Sequence, residues 1–166
     1  MNEMGTGAAF FTVPTSSGVF SLRRANQADL PHVVRLLAED QLGASRETPD
    51  DLAPYQAAFK AIDNDPAHLL IVGVLRGDIV ATFQLTFLPS LSRRGAWRAQ
   101  IEAVRVSSAL RSQGIGQLMM QWAIECSRQR GCSLVQLTTD KSRGAAHQFY
   151  KRLGFTATHE GMKLTL

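Results

Sequence analysis

The 166-residue sequence lacks the features that mark secreted, membrane-spanning and metal-binding proteins. Its two cysteines, Cys126 and Cys132, have no Cys-x-x-Cys spacing and are too few for a disulfide framework. No stretch approaches the ~20 apolar residues that a membrane-spanning helix needs. Residues 1–18 lack the basic start and the sustained apolar core of a signal peptide. We therefore expect a cytoplasmic protein with free core thiols, no metal and no membrane partner.

The chain also lacks a strong charge imbalance, with 18 Lys and Arg against 14 Asp and Glu and a formal net charge of +4. Its basic residues are scattered, and the densest group, Arg93, Arg94 and Arg98, is interrupted by Gly95 and Trp97. A nucleic-acid-binding domain usually carries its basic residues as a continuous patch or stripe. We therefore expect no nucleic-acid partner, and the mild basic excess also suits a small anionic ligand.

The apolar pattern predicts one α/β domain over residues 18–166, preceded by an irregular N-terminal extension over residues 1–17. Helical and alternating spacings give the order β-α-α-β-β-β-α-β-α-β(-β). The first strand covers residues 18–24, the RGD at 76–78 forms a hairpin turn, and one or two strands close the chain within residues 155–166. Because helices cross between strands, we expect a mixed sheet covered by helices on both faces.

Two local signals predict helix ends. Asn26, followed three residues later by Asp29, forms a capping pair at the start of the first helix. Gly154 follows the helical stretch SRGAAHQFYKRL and is placed to end that helix in a left-handed conformation.

Residues 110–118 read LRSQGIGQL and place a glycine-rich turn between a predicted strand and a long predicted helix. The free backbone N–H groups of a helix start attract anions, glycine lets an anion approach closely, and Arg111 adds a full positive charge. A diphosphate would fit such a turn. Two phosphate motifs are excluded, because Gly116 is followed by Gln117 rather than by Lys-Ser/Thr, and the third glycine of a dinucleotide fingerprint is missing. Taken alone, the stretch fits an anion site and a plain glycine turn equally well.

With its flanks, this stretch resembles the GNAT superfamily of acetyl-coenzyme A-dependent N-acetyltransferases. VRVSSALRSQGIGQLMMQWAIECSRQRG is similar to the family's coenzyme-binding strand, turn and helix, and RGAAHQFYKRLGF is similar to its second motif. FSLRRANQADLPHVVRLL resembles the family's opening strand and helix, so the likeness covers about residues 19–166. The resemblance implies the GNAT fold, with a mostly antiparallel central sheet, and acetyl-CoA as cosubstrate. Because members of the family often pair, it also implies a homodimer.

The resemblance assigns roles to particular residues. Backbone groups of Val104 and Val106 would pair with the acetyl and pantetheine parts of the coenzyme, and Tyr150 would donate a proton to the departing thiolate. Tyr150 also fits an apolar helix face, so a pure packing role stays open. Arg143 stands where the family often has Asn, and it either reaches a coenzyme phosphate or is simply exposed. The residues expected to bind the coenzyme are Val104, Arg105, Val106, Arg111, Ser112, Gln113, Gly114, Ile115, Gly116, Gln117, Arg143 and Tyr150.

An amine that attacks a thioester must first lose a proton, because alkylammonium groups titrate near ~10.4 and have no lone pair. Glu102 is the candidate catalytic base. It lies two residues before Val104, so regular alternation would place both side chains on one face of the strand that lines the coenzyme, unless a bulge shifts it. The alternative is an ordinary exposed strand glutamate. We expect His147 and His159 to be structural or at the surface.

The acceptor pocket is expected from the first two helices and the loop between the third and fourth predicted strands. Its acids would suit a cationic amine, whereas its arginines would suit an amine that carries phosphate or carboxylate. A short likeness of AHQFY to aminoalkylphosphonate acetyltransferases does not choose between them. The residues of this region are Asp40, Glu47, Asp50, Asp51, Tyr55, Phe87, Arg93, Arg94, Trp97 and Arg98.

The sequence thus favours direct transfer of an acetyl group from acetyl-CoA to the primary amine of a small molecule in a ternary complex. A cysteine acyl-enzyme is disfavoured, because neither cysteine lies beside the expected acceptor pocket. Two alternatives stay open, namely a protein or peptide N-acetyltransferase and a non-catalytic acyl-CoA-binding module with a regulatory role.

Overall fold

The computed structural model of the chain describes residues 8–39 and 41–166, and its centre is one six-stranded sheet. Each strand lies beside the strand that follows it in the sequence. The strands are β1 (Ala9–Thr15), β2 (Gly18–Arg24), β3 (His68–Leu75), β4 (Asp78–Leu88), β5 (Trp97–Val106) and β6 (Cys132–Leu137). The helices are α1 (Leu30–Ala38), α2 (Gln41–Ala44), α3 (Ala53–Asn64), α4 (Ser92–Gly95), α5 (Ile115–Gln129) and α6 (Gly144–Arg152).

Strand direction follows from the connections between strands. The neighbours from β1 to β5 run antiparallel, whereas β5 and β6 run parallel. A parallel pair needs a long crossover, and α5 fills that crossover between β5 and β6. The sheet is therefore mixed and mostly antiparallel, which confirms the predicted fold class.

Two clusters of buried side chains cover the two faces of the sheet. On one face, Met119 of α5 lies in a buried cluster with Phe83 of β4. On the other face, Val33 of α1 and Phe59 of α3 lie in a cluster with Leu70 of β3. Each large apolar side chain buried in this way contributes roughly 1.5–3 kcal/mol to stability. We call the two sides the α5 face and the α1/α3 face.

The predicted capping pair is confirmed at the entry to α1. The side chain of Asn26 accepts a hydrogen bond from the N–H of Ala28, and the carboxylate of Asp29 accepts the N–H of Asn26 at 2.8 Å. Asp29 also receives two hydrogen bonds from the guanidinium of Arg23, at 2.6 and 2.9 Å. These contacts fix the point at which the chain leaves β2 for α1.

The predicted turn signals are confirmed as well. Leu75 pairs with Asp78, and Arg76 and Gly77 between them have φ of +54° and +91°, so RGD is a tight hairpin turn. Gly154 has φ of +91° directly after the end of α6, which is the left-handed cap expected there.

The prediction of an irregular segment over residues 1–17 is wrong for residues 9–15, which form the edge strand β1. Phe10 stacks on Trp122 of α5 with 5.6 Å between ring centroids. The small and polar residues around this strand conceal its apolar positions in the sequence, and only the tertiary contact makes it a strand. Residues 1–7 lie outside the described part of the chain.

The predicted closing strands are not formed either. Residues 155–166 have no strand assigned, and β6 is an edge strand of the described sheet. The alternation of Met162, Leu164 and Leu166 is that of a strand, but no neighbouring strand of the described chain pairs with it.

Candidate active site

Strands β5 and β6 pair only up to Ile101 and Leu137, where β6 ends, while β5 continues for five more residues to Val106. The backbone N–H of Ser107 donates to the carbonyl of Val80 of β4 at 2.8 Å. Because antiparallel ladders alternate, the N–H and C=O of Val106 must therefore point away from β4. The two strands thus leave an opening beyond Ile101, and it is bordered by backbone of β5 that no strand of the described chain pairs on that side.

Arginine side chains meet the carbonyl groups along this opening. Nε of Arg111 donates to the carbonyl oxygen of Val106 at 3.3 Å, and Nη1 of Arg105 donates to that of Val104 at 2.9 Å. Three of the residues expected to bind the coenzyme along β5, Val104 to Val106, are half-buried here. The edge therefore combines backbone acceptors with two positive charges.

A β-bulge at Ala103 interrupts the alternation of β5. Thr82 of β4 pairs with Arg105, and Gln84 pairs with Glu102, so β5 has two residues where β4 has one. Ala103 is one of these two residues and has φ of +53°. Glu102 therefore lies opposite Gln84 on the α1/α3 face, while Val104 packs against the cluster on the α5 face. The expectation that Glu102 and Val104 share a face is wrong for this reason.

Residues 111–117 form the turn that leads into α5. Gly114 precedes the helix with φ of +83°, and its carbonyl accepts the N–H of Leu118 at 3.1 Å. The N–H groups of residues 115–117 therefore have no acceptor within the helix. The side chain of Ile115 is buried in the core, so only its backbone can serve a ligand. The turn thus offers a row of backbone donors with the partial positive charge of a helix start.

Distant residues hold this turn in place. Oε2 of Glu39, just after α1, accepts the backbone N–H of Ser108 at 2.8 Å and lies 3.9 Å from Nη2 of Arg111. Oγ of Ser17 donates to Oε1 of Gln113 at 2.7 Å, across 96 positions of sequence. The turn is therefore anchored to both α1 and the β1–β2 connection.

Tyr150 of α6 lies beside the same turn. A Cβ atom at Gly116 would lie 3.3 Å from Cζ of Phe149, so glycine lets α6 pack closely against the start of α5. The rings of Phe149 and Tyr150 meet edge to face with 5.2 Å between centroids. Burial raises the pKa of Tyr150, although the positive charges of Arg105 and Arg143 act in the opposite direction. Its hydroxyl therefore stays protonated at neutral pH and can donate a proton.

Arg143 stands immediately before α6, in a turn built on Asp140. The N–H of Arg143 donates to the carbonyl of Asp140 at 3.0 Å, and Nε2 of His147 contacts the same carbonyl at 3.0 Å. Hydrogen bonds from Ser142 hold the pKa of Asp140 below its usual value. His147 is therefore structural, as expected, and the charge of the half-buried Arg143 reaches Tyr150.

A cavity of about 160 Å³ opens on the α1/α3 face, between α1, α3 and the sheet. Its lining is mostly apolar, with Tyr55, Thr82 and Gln84 as polar members and Ala103 at the bulge. Glu102 is exposed on this same face, opposite Gln84. A small molecule can therefore approach the bulge from the α1/α3 face, while the opening beside Tyr150 lies toward α5.

The residues expected around the acceptor do not form one group. Phe87 is buried in the α5-face cluster with the guanidinium of Arg130 4.6 Å above its ring, so its assignment to the acceptor pocket is wrong. The prediction for Asp40 lies outside the described residues. The exposed members of the set are Asp50, Asp51, Arg93, Arg94 and Trp97.

Acids and arginines of this region differ in their partners. Oε2 of Glu47 accepts the hydroxyl of Tyr55 at 2.8 Å, and Oδ1 of Asp51 accepts a backbone N–H at the start of α3 at 3.1 Å. Arg98 is half-buried, and its buried Nε has no hydrogen-bond partner among the described residues. Since Arg98 and Glu102 are four residues apart on the regular part of β5, both point to the α1/α3 face.

The other titratable candidates have ordinary roles. Cys126 and Cys132 are free thiols packed against the α5-face cluster, as predicted. Burial raises the pKa of each thiol, and the charge of Arg130 offsets this only in part, so neither is poised as a thiolate nucleophile. His159 is exposed and contacts the hydroxyl of Thr158 at 2.8 Å.

The described residues contain no group of three or more His, Cys, Asp or Glu that could hold a metal ion. None of the described helices is both long and apolar enough to cross a membrane.

Comparison with known families adds to this geometry. The model of the acetyltransferase (GNAT) family matches residues 31–155, which are most of the chain and include the turn and Tyr150. The chain belongs to this family. It is an N-acetyltransferase, and GNAT enzymes take acetyl-CoA as cosubstrate.

Similar proteins include two that are named N-acetyltransferases and a solved structure that is named a transcriptional regulator. An aminoalkylphosphonate N-acetyltransferase of Salmonella typhimurium is 29% identical over 141 residues, 85% of this chain and 88% of the relative. A glucosamine 6-phosphate N-acetyltransferase of Trypanosoma brucei brucei is 33% identical over 90 residues, 54% of this chain and 59% of the relative. A crystal structure of a transcriptional regulator from Bacillus halodurans C-125 has a TM-score of 0.86 at 46% identity and covers 89% of this chain and 99% of that one.

Two parts of this GNAT site were missed in the sequence. The carboxylate of Glu39 anchors the turn from 69 positions away, and no local motif indicates it. The bulge at Ala103 gives no signal either, because alanine is an unusual residue for a positive φ.

Proposed function

We propose that this GNAT enzyme transfers an acetyl group from acetyl-CoA to the primary amine of a small molecule by direct attack in a ternary complex. The opening between β5 and β6, with the turn 111–117 and Tyr150 beside it, carries the proposal. Backbone groups of Val104 and Val106 can pair with the amides of an extended pantetheine arm, as an added strand pairs with a sheet edge. The donors of the turn suit a pyrophosphate.

Arg111 has a part in this binding mode. Its Nε donates a hydrogen bond to the carbonyl oxygen of Val106, and its Nη2 lies 3.9 Å from Oε2 of Glu39. On coenzyme binding, Arg111 would exchange the carbonyl for a phosphate oxygen, because a charge-assisted hydrogen bond is stronger than a neutral one. The freed carbonyl of Val106 would then accept an amide of the pantetheine arm.

The chemistry needs a base on one side of the thioester and an acid on the other. Glu102 takes a proton from the acceptor ammonium, directly or through a water molecule. The nitrogen lone pair attacks the thioester carbonyl carbon and forms the new C–N bond. The C–S bond then breaks with its electron pair on sulfur, and the hydroxyl of Tyr150 protonates the departing thiolate. The positively charged nitrogen gives up its extra proton to water, and the Tyr150 hydroxyl is restored by a proton from water. The bulge at Ala103 supports these roles, since it turns Glu102 to the face opposite the cluster in which Tyr150 packs.

We further propose that the acceptor carries an anionic group such as phosphonate, phosphate or carboxylate. Two relatives are named for amines that bear a phosphonate or a phosphate. In this chain, Glu47 and Asp51 are engaged in hydrogen bonds of their own, whereas the buried Nε of Arg98 has no partner among the described residues. Arg98 and Glu102 lie roughly 13 Å apart along β5 at ~3.3 Å per residue.

A coenzyme A thiol-release assay tests the function. The acceptors are 2-aminoethylphosphonate, glucosamine 6-phosphate, a polyamine, an aminoglycoside, free amino acids and a peptide. Turnover is expected with a small amine that bears an anionic group. Turnover with the peptide alone would point to protein acetylation, and acetyl-CoA binding without thiol release from any amine would contradict the proposed function.

A variant pair tests the role of Arg98 with the acceptor found in this way. Arg98→Gln should raise the KM for the anionic amine about tenfold or more, the equivalent of ~1.4 kcal/mol, while the acetyl-CoA Kd stays unchanged. The matched control is Arg76→Gln, an exposed arginine of the turn between β3 and β4, which should leave both constants unchanged. Equal KM values in the two variants would remove Arg98 from the acceptor site.

A further inference from the structure

The carboxylate of Glu39 makes two contacts with residues 108–111, and a single oxygen atom makes both of them. Oε2 accepts the backbone N–H of Ser108 at 2.8 Å and lies 3.9 Å from Nη2 of Arg111. The first distance is that of a hydrogen bond, whereas the second is too long for one and leaves an attraction between charges. Glu39 is therefore an acceptor for Ser108 and a counter-ion for Arg111.

The contact with Ser108 keeps this carboxylate near the turn 111–117. Ser108 begins a short 3₁₀ turn, Ser108–Leu110, that directly precedes Arg111. The N–H of Glu39 donates to the carbonyl of Leu36 in the last turn of α1 at 3.4 Å. The backbone and the side chain of Glu39 are thus both held, so its carboxylate stays beside Arg111 even when the guanidinium turns to another partner.

A pyrophosphate at the turn and the carboxylate of Glu39 would compete for Arg111. Under the proposed function, the guanidinium of Arg111 exchanges the carbonyl oxygen of Val106 for a phosphate oxygen of the coenzyme. The pyrophosphate and the carboxylate are both negative, so each weakens the hold of the other on the guanidinium. The side chains of Arg111 and Glu39 are 52% and 31% exposed, so water and salt reduce this competition without abolishing it. It should therefore change the coenzyme affinity by a few-fold.

We propose that Glu39 is a positioning residue that promotes the release of coenzyme A after acetyl transfer. It acts through Arg111, because its carboxylate is the partner to which the guanidinium returns when the phosphates leave. Acetyl-CoA and coenzyme A carry the same phosphates, so Glu39 lowers the affinity for both, and the effect falls mainly on the dissociation rate. Product release limits kcat in many enzymes, so a counter-ion of this kind assists turnover. The inference deepens the proposed function and rests on it, since it needs the coenzyme phosphates at the turn 111–117.

Neutralising Glu39 separates its two contacts. In Glu39→Gln the amide oxygen can still accept the N–H of Ser108, while the negative charge is lost. In Glu39→Ala both the acceptor and the charge are lost. A residue that only anchors the turn would weaken coenzyme binding when it is replaced, whereas a competing counter-ion strengthens coenzyme binding when its charge is removed. The direction of the change in Glu39→Gln therefore distinguishes the two roles.

Calorimetric titration with coenzyme A and stopped-flow displacement of the bound coenzyme A are the measurements. Glu39→Gln should lower the Kd about fivefold, the equivalent of ~1 kcal/mol, and should lower the dissociation rate in proportion. Glu39→Ala should bind coenzyme A more weakly than Glu39→Gln, because Ser108 loses its acceptor. The matched control is Glu125→Gln, which removes an exposed glutamate paired with Arg128 roughly 15 Å along α5 from its first residue. Its Kd should equal that of the wild type.

Arg111→Gln tests whether Glu39 acts through Arg111. In this background, Glu39→Gln should change the Kd for coenzyme A much less than it does in the wild type, because the shared guanidinium is gone. An unchanged or higher Kd for Glu39→Gln alone, or a fivefold gain that persists without Arg111, would overturn the inference. Failure of the proposed function gives different results, namely a wild type that does not bind coenzyme A, or an Arg111→Gln variant that binds it as tightly as the wild type.

Discussion

Tyr150 and Glu102 lie on opposite faces of the sheet. Tyr150 packs with the α5-face cluster, while the bulge at Ala103 turns Glu102 to the α1/α3 face. A single backbone residue thereby separates the expected acid from the expected base.

The first prediction concerns Tyr150 as the acid. Tyr150→Phe should lower kcat by roughly 10²–10⁴-fold, the usual contribution of a positioned acid, and should leave the acetyl-CoA Kd nearly unchanged. Because burial raises the pKa of Tyr150 above its ordinary value of about 10, the wild-type enzyme should keep its acid protonated up to that pH and lose activity only above it. Steady-state kinetics and equilibrium dialysis measure the two constants. Equal kcat in both proteins would exclude Tyr150 as the acid.

The second prediction concerns Glu102 as the base. Glu102→Gln should lower kcat/KM by roughly 10²–10⁴-fold and flatten its rise with pH, because the amide cannot accept the ammonium proton. Glu125→Gln is the matched control, since Glu125 is exposed on α5 and bonded to Arg128 and Gln129 of its own helix. A pH profile of kcat/KM that is the same for Glu102→Gln and the wild type would point to another base.

At the scale of the element, the start of α5 depends on one backbone conformation. Gly114 has φ of +83°, and Gly131 at the other end of α5 has φ of +76°. A Cβ atom added at either glycine would have no neighbouring atom within 4 Å. Alanine at either position should cost about 1–2 kcal/mol of stability, because a left-handed conformation is strained for a residue with a Cβ. Only Gly114 belongs to the turn that faces the opening.

The third prediction follows from this matched pair. Gly114→Ala and Gly131→Ala should lower the free energy of unfolding by similar amounts in urea titrations. Only Gly114→Ala should also weaken acetyl-CoA binding, by on the order of tenfold in Kd, since ~1.4 kcal/mol corresponds to tenfold. If calorimetry found the same Kd in both variants, the turn would not hold the coenzyme.

The elements differ in how far the sequence predicts them. The turn before α5, the capping pair at Asn26 and the left-handed Gly154 were predictable, because each depends on neighbours within a few residues. Strand β1 and the bulge at Ala103 were not, since pairing with a distant strand determines both. The sequence also predicts one or two closing strands within residues 155–166, but no strand of the described residues pairs with them.

The candidate site shows the same division. Its expected coenzyme side lies in two continuous motifs, so the sequence predicts its residues individually, and their binding roles stay predictions. Its expected acceptor side depends on contacts between distant elements, and Phe87 was misplaced because it is buried in the α5-face cluster. The contact of Glu39 with Ser108 had no sequence signal. The catalytic roles of Tyr150 and Glu102 stay predictions.

At the scale of the whole molecule, Asp29 joins strand β2 to the entry of helix α1 on the α1/α3 face. Its carboxylate is buried and takes hydrogen bonds from Arg23 and from the N–H of Asn26. Burial by itself would raise the pKa of Asp29, but these hydrogen bonds outweigh burial and lower it. As the pH falls, the unfolded chain takes up this proton before the folded one does. The stabilisation is therefore complete above the unfolded pKa and is lost as the pH falls through the lower folded pKa.

The fourth prediction is that Asp29→Asn destabilises the fold by about 3 kcal/mol at neutral pH, because it leaves the charge of Arg23 uncompensated. The difference in unfolding free energy between the wild type and Asp29→Asn should shrink at acid pH, because the carboxylate of Asp29 is then protonated in the wild type as well. Asp63→Asn is the control, since Asp63 pairs with Arg24 at 3.2 Å but is 39% exposed, and it should cost under ~1 kcal/mol. Urea titrations at neutral and acid pH measure both, and equal losses for the two variants would contradict the prediction.

The most direct test of the whole assignment is a crystal structure of the protein with acetyl-CoA. The pantetheine arm should lie along the unpaired edge of β5 at Val104 and Val106, with the pyrophosphate on the N–H groups of residues 112–117. The thioester sulfur should lie within hydrogen-bond reach of the Tyr150 hydroxyl, and its carbonyl carbon should be open to the α1/α3 face. A coenzyme bound in the cavity between α1 and α3, or with its sulfur remote from Tyr150, would contradict the proposed site.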